Sequence, residues 1–145
     1  MTAVEIVEIT EAVDREAAFA IRHAVFCDEQ RVDPAIEFDG LDGDCRQYLA
    51  RSGSTAVGTA RLRDAGAGVV KIERVAVPAS DRGRGIGKAL MVRTIADARA
   101  AGAATIAIHA QCHAEAFYRS LGFKRLGGVF DEAGIPHVRM ELDRS

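Results

Sequence analysis

The sequence predicts an α/β domain: one central mixed β-sheet flanked by helices, a single unit spanning residues 1–145. Three observations predict it. Segments with strand and helix periodicity follow one another in the order β, α, three strands, α, β, α, then strands. Glycines stop two of the helical stretches, at Gly102 and Gly122. A length of 145 residues, 48% hydrophobic and 28% charged, suits one buried core, and no repeat or linker divides the chain.

Each element has its own local reason. Val4 to Ile9 alternates apolar and acidic residues, the pattern of a half-buried strand. From Ala12 to about Cys27, the apolar positions Ala18, Ile21, Ala24 and Val25 recur at helical spacing. Asp33 to Asp44 carries Pro34, Gly40, Gly43 and a run of acidic residues, and reads as an irregular connection. Arg46–Arg51 and Ala56–Arg63 flank the turn sequence Ser52-Gly53-Ser54-Thr55, which makes a hairpin. Val69 to Val77 is β-rich and Pro78 ends it, because proline has no N–H for the ladder. A helix follows Gly83–Gly87, with Ile86, Leu90, Met91, Ile95 and Ala98 on one side. Thr105–His109 is a short buried strand, Ala114–Leu121 a helix, and Val138–Leu142 an alternating last strand.

Charge and cysteine content exclude several function classes. With a formal net charge of -2, no overall field recruits nucleic acid, so any phosphate contact must be local. Glu5 and Glu8 interrupt the first apolar stretch, and neither a signal peptide nor a membrane-spanning helix is expected. Cys27, Cys45 and Cys112 are odd in number and far apart; they read as reduced thiols of a cytoplasmic protein. No His, Cys and carboxylate residues stand at metal-ligand spacing, so no metal is expected.

The segment Arg82-Gly83-Arg84-Gly85-Ile86-Gly87-Lys88 lies between a strand and a helix. Such a helix start exposes N–H groups and the positive end of the dipole, and glycines let a phosphate approach the backbone. A Walker loop would need Gly where Arg82 stands and Ser or Thr where Ala89 stands. A dinucleotide fingerprint would need Gly at Lys88 or Leu90. What remains is R-x-x-G-x-G, carried by Arg82, Gly85 and Gly87.

With this motif the chain resembles the GNAT superfamily of N-acetyltransferases. A second match is Gln111 to Phe123, Q-C-H-A-E-A-F-Y-R-S-L-G-F. It is similar to the family's N-x-x-A-x-x-x-Y-x-x-x-G-F, with Ala114, Tyr118, Gly122 and Phe123 in register and Gln111 where Asn is common. Arg22-His23-Ala24-Val25-Phe26, Glu29-Gln30, Glu37-x-Asp39-x-x-Asp42 and Gly134-Ile135-Pro136-His137 are similar to the ElaA-like subgroup of small bacterial acetyltransferases. The Arg-x-x-x-Phe and Asp-x-x-Asp pieces are similar to acyl-homoserine-lactone synthases as well. The resemblance implies a single-domain acyl-CoA N-acyltransferase fold and acetyl-CoA as acyl donor. Its pyrophosphate would rest on the backbone of Arg82, Gly83, Arg84, Gly85, Ile86, Gly87 and Lys88. The pantetheine arm would lie along Val75, Ala76 and Val77 and meet Gln111 and Tyr118. For the acceptor, a small-molecule or peptide amine, it implies contacts from Arg22, Glu37, Asp39 and His137. A homodimer is open to this fold.

Acyl transfer from a thioester to an amine needs a neutral nucleophile and a proton for the leaving sulfur. Deprotonating an alkylammonium of pKa about 10.4 at pH 7 costs about 4.6 kcal/mol in water, so a base is expected. By the same resemblance Tyr118 sits beside the CoA sulfur; a phenol is protonated at pH 7 and can donate to a thiolate. Glu73, on the strand entering the phosphate loop, is the leading base, against the plainer reading of a surface carboxylate paired with Lys71 or Arg74. His109 reads as core or strand end. The alternative functions are a non-catalytic acyl-CoA-binding module, which would have no need of a proton donor at Tyr118, and an acyl-homoserine-lactone-synthase-like acyltransferase.

Overall fold

The computed structural model describes residues 3–143. Seven strands form one sheet: β1 (Val4–Glu8), β2 (Arg46–Ser52), β3 (Thr55–Gly66), β4 (Val69–Ala76), β5 (Thr105–Gln111), β6 (Phe123–Glu132) and β7 (Ile135–Leu142). Their order is β1-β2-β3-β4-β5-β7-β6, and only the β4–β5 pair is parallel. That one parallel step needs a crossover, which α3 (Ile86–Ala100) supplies. The remaining helices are α1 (Ala12–Arg22), α2 (Pro34–Glu37) and α4 (Glu115–Ser120).

Strand alternation decides which helix meets which face. Tyr48 and Ala50 of β2 join Ile86, Leu90, Met91 and Ala98 of α3 in the larger core cluster. Leu49, between them, points the other way and packs with Ala18 and Ile21 of α1. The α3 helix closes as Gly102 predicts: Gly102 N–H bonds to Arg99 O and Ala103 N–H to Ala98 O, the paired bonds of a Schellman end.

Two local expectations change. The first helix runs past Arg22, but as a seven-residue π-helical segment, His23–Glu29, and its wider turn leaves Ala24 exposed while Val25 stays buried. The acidic connection is more ordered than its composition suggests. Asp33 accepts the Ala35 N–H (2.8 Å) to cap α2, Pro34 occupies the first helical position, and a 3-10 turn follows at Asp42–Asp44.

Candidate active site

β4 and β5 pair over three positions only, Val69–Lys71 with Thr105–Ala107. Beyond Lys71 the strands part, while β5 keeps its β7 partner and β4 stays on β3. A bulge marks the parting. Arg61 opposes Glu73 and Thr59 opposes Ala76, so Arg74 and Val75 stand against Ala60 alone. Arg74 takes φ +56°, a left-handed conformation that costs a side chain about 1–2 kcal/mol. Its guanidinium is held by the Glu37 carbonyl (3.1 Å) and the Asp39 carboxylate (3.2 Å). The opening left between the strands is a cleft of about 890 Å³, within the range of small-molecule sites.

One end of the cleft leads to the glycine loop. Gly85 is the N-cap of α3 at φ +76°, with no atom near where a Cβ would project. The first bond closing the helix runs from Ala89 N–H to Gly85 O (3.0 Å); the N–H groups of Ile86, Gly87 and Lys88 find no acceptor among the described residues. Three aligned donors at the positive end of a 15-residue helix favour an anion. The neighbouring side chains are otherwise engaged. Arg82 forks onto Glu29 (2.7 and 2.8 Å) and donates to Val77 O (3.0 Å), tying the loop to the π segment. Arg84 pairs with Asp81, Ile86 is buried in the core, and Lys88 is exposed.

The motif helix α4 brings Tyr118 to the cleft wall, edge-on to Phe117 and Phe123. Burial pushes its phenol up to about 12, and its hydroxyl has no hydrogen-bond partner among the described residues. Gln111 donates to Gln30 Oε1 (2.8 Å), and its own Oε1 lies 2.6 Å from His113 Nε2, so its side chain is committed at both ends.

The cleft floor holds a buried charge network. Arg61, 1% exposed, donates to Asp39 (2.9 and 3.0 Å), Asp42 (3.1 Å) and Glu73 (2.9 Å). Arg22, equally buried, bonds Glu37 (2.8 Å) and Asp42 (2.7 Å), and its guanidinium lies 5.1 and 5.0 Å from the ring centroids of Phe19 and Phe38. Burial raises the Glu37 carboxyl in spite of Arg74 and Arg22. Asp39 goes the other way: burial would raise it, but hydrogen bonds from Arg61 and the Leu41 N–H, with the charges of Arg61 and Arg74, hold it well below its ordinary value.

Of the residues expected at the site, Glu37, Asp39, Glu73, Val75, Ala76, Val77, Arg82, Gln111, Tyr118 and His137 all line the cleft. Arg22 does not. Its guanidinium is used up on Glu37 and Asp42, so its part is to hold the floor together rather than to touch an acceptor. Glu73 is present but poorly suited to be the base. Burial would raise its carboxyl, yet Arg63 and Arg61 donors and the charges of Arg61 and Lys71 bring it down to about 2. Taking a proton from an ammonium then costs about 3 kcal/mol more than for an ordinary glutamate. Among the cleft residues, Lys71, His109 and Glu132 were not singled out for the site by local pattern. His109 lies inside β5 rather than at its end, and its side chain faces the opening.

A pH prediction follows from Glu73. Its folded-state value lies below the unfolded one, so its contribution is present above about pH 4.5 and is lost as pH falls towards about 2. Glu73→Gln is expected to lose stability at pH 7, on the order of 3 kcal/mol, and to show a flatter acid limb than the wild type. Urea denaturation from pH 7 to pH 3 checks it; parallel curves for the two proteins would contradict the buried pairing.

Residues 10–144 match the family model for the acetyltransferase (GNAT) domain. A Bacillus subtilis (strain 168) protein classed as an acetyltransferase is 38% identical over 136 residues, 92% of each chain. Escherichia coli ElaA is 34% identical over 128 residues, covering 86% of this chain and 84% of ElaA. The ElaA crystal structure superposes with a TM-score of 0.85 over 99% of this chain and 100% of that one, at 29% identity. A Bacillus subtilis acetyltransferase crystallised with CoA shares the fold at TM-score 0.72 and 24% identity, over 99% of both chains. A mixed sheet parted beside a glycine-started helix, matched over almost its whole length, places this chain in a family: it belongs to the GNAT acetyltransferases.

Proposed function

We propose that the protein moves the acetyl group of acetyl-CoA to the nitrogen of an amine, by direct attack in the cleft between β4 and β5. The observation that carries this is open backbone at two places: β4 has no β5 partner after Lys71, and the N–H groups of Ile86, Gly87 and Lys88 at the start of α3 have no acceptor among the described residues. An arm with amide groups can lie against Val75, Ala76 and Val77 as a strand would, while its pyrophosphate rests on the helix start. The CoA-bound relative of the same fold supports that reading. Tyr118 then stands at the wall as a proton donor to the departing sulfur, a role that a protein which only bound acyl-CoA would not require.

Thermal shift and CoA release test it together. CoA at about 100-fold over its Kd is expected to stabilise the wild type by about 2.7 kcal/mol, roughly 5–10 °C for a domain of this size; acetate gives none. A Cβ on Gly87 would meet only Phe117 Cζ, at 3.6 Å, so Gly87→Val is expected to fold. Its added methyls crowd the helix start, and the CoA shift is expected to disappear. An unchanged CoA shift in folded Gly87→Val would remove the loop from the site. If acetyl-CoA binds but no amine in a broad panel releases CoA, the acyl-CoA-binding module takes the place of the enzyme.

A further inference from the structure

We propose that His109, held by Glu132, is the group that takes the proton from the acceptor amine; this rests on the acetyl-transfer reading above. His109 lies on β5 where that strand has left β4, and its side chain is 23% exposed in the cleft wall. Its Nδ1 is 2.8 Å from Glu132 Oε1. Hydrogen bonding to His109 is the main influence that lowers the Glu132 carboxyl, against burial, which would raise it. An ionised carboxylate only accepts, so Nδ1 carries the hydrogen and Nε2 keeps the lone pair. That Nε2 has no partner among the described residues. Phe130 stands edge-on to the ring at 5.0 Å and restrains its tilt.

The neighbouring histidine is arranged differently. His137 Nδ1 lies 2.7 Å from Ile135 O, so it too is the protonated nitrogen. Its Nε2, however, points at the second oxygen of Glu132, 3.7 Å away. Both ring nitrogens of His137 therefore face oxygen acceptors, whereas His109 turns only Nδ1 to the carboxylate. Glu132 is the shared positioning residue. The other charges around His109 come from each packed strand: Lys71 of β4, 3.4 Å from Nδ1 and itself paired with Glu73; Glu132 of β6; and, on β7, His137 and the register partner Arg139, which bonds Glu141. Among the described residues no three such side chains gather to hold a metal ion.

The proton count closes. The acceptor ammonium gives one proton to His109 Nε2, and the freed nitrogen lone pair forms the C–N bond to the acetyl carbon. As the C–S bond breaks, the sulfur takes its electron pair and a proton from Tyr118. The nitrogen's second proton, shed as the amide forms, returns to Tyr118. One proton remains on His109 and leaves to solvent.

Two measurements decide the matter. His109→Gln is expected to retain the CoA thermal shift and to lose roughly 10²-fold in kcat/KM near pH 7. The loss shrinks as pH approaches the amine's own pKa. Glu132→Gln is expected to lose less and to move the acid limb of the kcat/KM profile to lower pH, since the imidazolium loses its counter-charge. Full kcat/KM in folded His109→Gln would overturn the assignment, as would an equal loss at every pH. Independently of any acceptor, long-range 1H–15N spectra at pH 8 are expected to show His109 as the Nδ1–H tautomer in the wild type. The Nε2–H tautomer would overturn the assignment even if no amine were found. A wild type that releases no CoA with any amine, but shows the expected tautomer, would count against acetyl transfer and leave the His109–Glu132 pair supported.

Discussion

Arg61→Ala is expected to cost about 3–5 kcal/mol of folding stability, the usual loss when one member of a buried ion network is removed. Arg61 is 1% exposed and its two terminal nitrogens serve three carboxylates: Asp39, Asp42 and Glu73. Alanine would leave those carboxylates sharing what remains of Arg63, Arg74, Arg22 and Lys71, with a cavity under the floor of the cleft. For a domain of this size the loss corresponds to roughly 10 °C or more in Tm, against a total stability of about 5–15 kcal/mol. Arg61→Lys keeps the charge but not the fork, and should fall between alanine and the wild type. Chemical denaturation at pH 7 reads all three. A loss under about 1 kcal/mol for the alanine variant would mean that the network behaves as a solvated surface array. The Nε of Arg61 is buried without a hydrogen-bond partner among the described residues, which is a reason for the arginine to contribute less than its five donors could.

Tyr118→Phe is expected to lower kcat by roughly 10²-fold while leaving CoA binding intact. The substitution removes one oxygen and keeps the ring against Phe117 and Phe123, so packing is retained. Burial holds the phenol at about 12, which keeps it protonated over the whole working range. Such a phenol favours hydrogen bonding to a developing thiolate over standing proton loss, and it is replenished as the amide nitrogen sheds its second proton. The measurement is the steady-state rate with a good acceptor, beside the CoA thermal shift for each protein. An unchanged kcat would assign protonation of the sulfur to water.

Much of the site was legible along the chain because its parts are local. The glycine loop is contiguous, the helix after it has its own periodicity and stop, and Tyr118 lies within a single 13-residue segment. The acidic connection was visible as a composition, but its purpose was not. Asp39 and Asp42 are bound by Arg61 from 22 and 19 residues away, and Glu37 by Arg74 at a separation of 37. No periodic pattern encodes a pair at such a distance. The same limit applies to Arg22, expected at the acceptor from the resemblance alone, which folding buries against Glu37 and Asp42.

The sequence by itself determined the element order, a mixed sheet flanked by helices, the glycine loop ahead of a helix, and the helix that carries Tyr118. Each follows from spacings of two to four residues, the range over which backbone geometry dictates which side chains share a face. Only the tertiary structure decided which charges surround each cleft carboxylate. Glu73 and Glu132 are both strand carboxylates facing one cleft, and nothing in their neighbouring residues ranks them. Across the sheet, Glu73 meets Arg61, Arg63 and Lys71, and Glu132 meets His109 and His137. A carboxylate's proton affinity depends on the charges within a few ångströms of it, and those are brought there by strand pairing rather than by order in the chain.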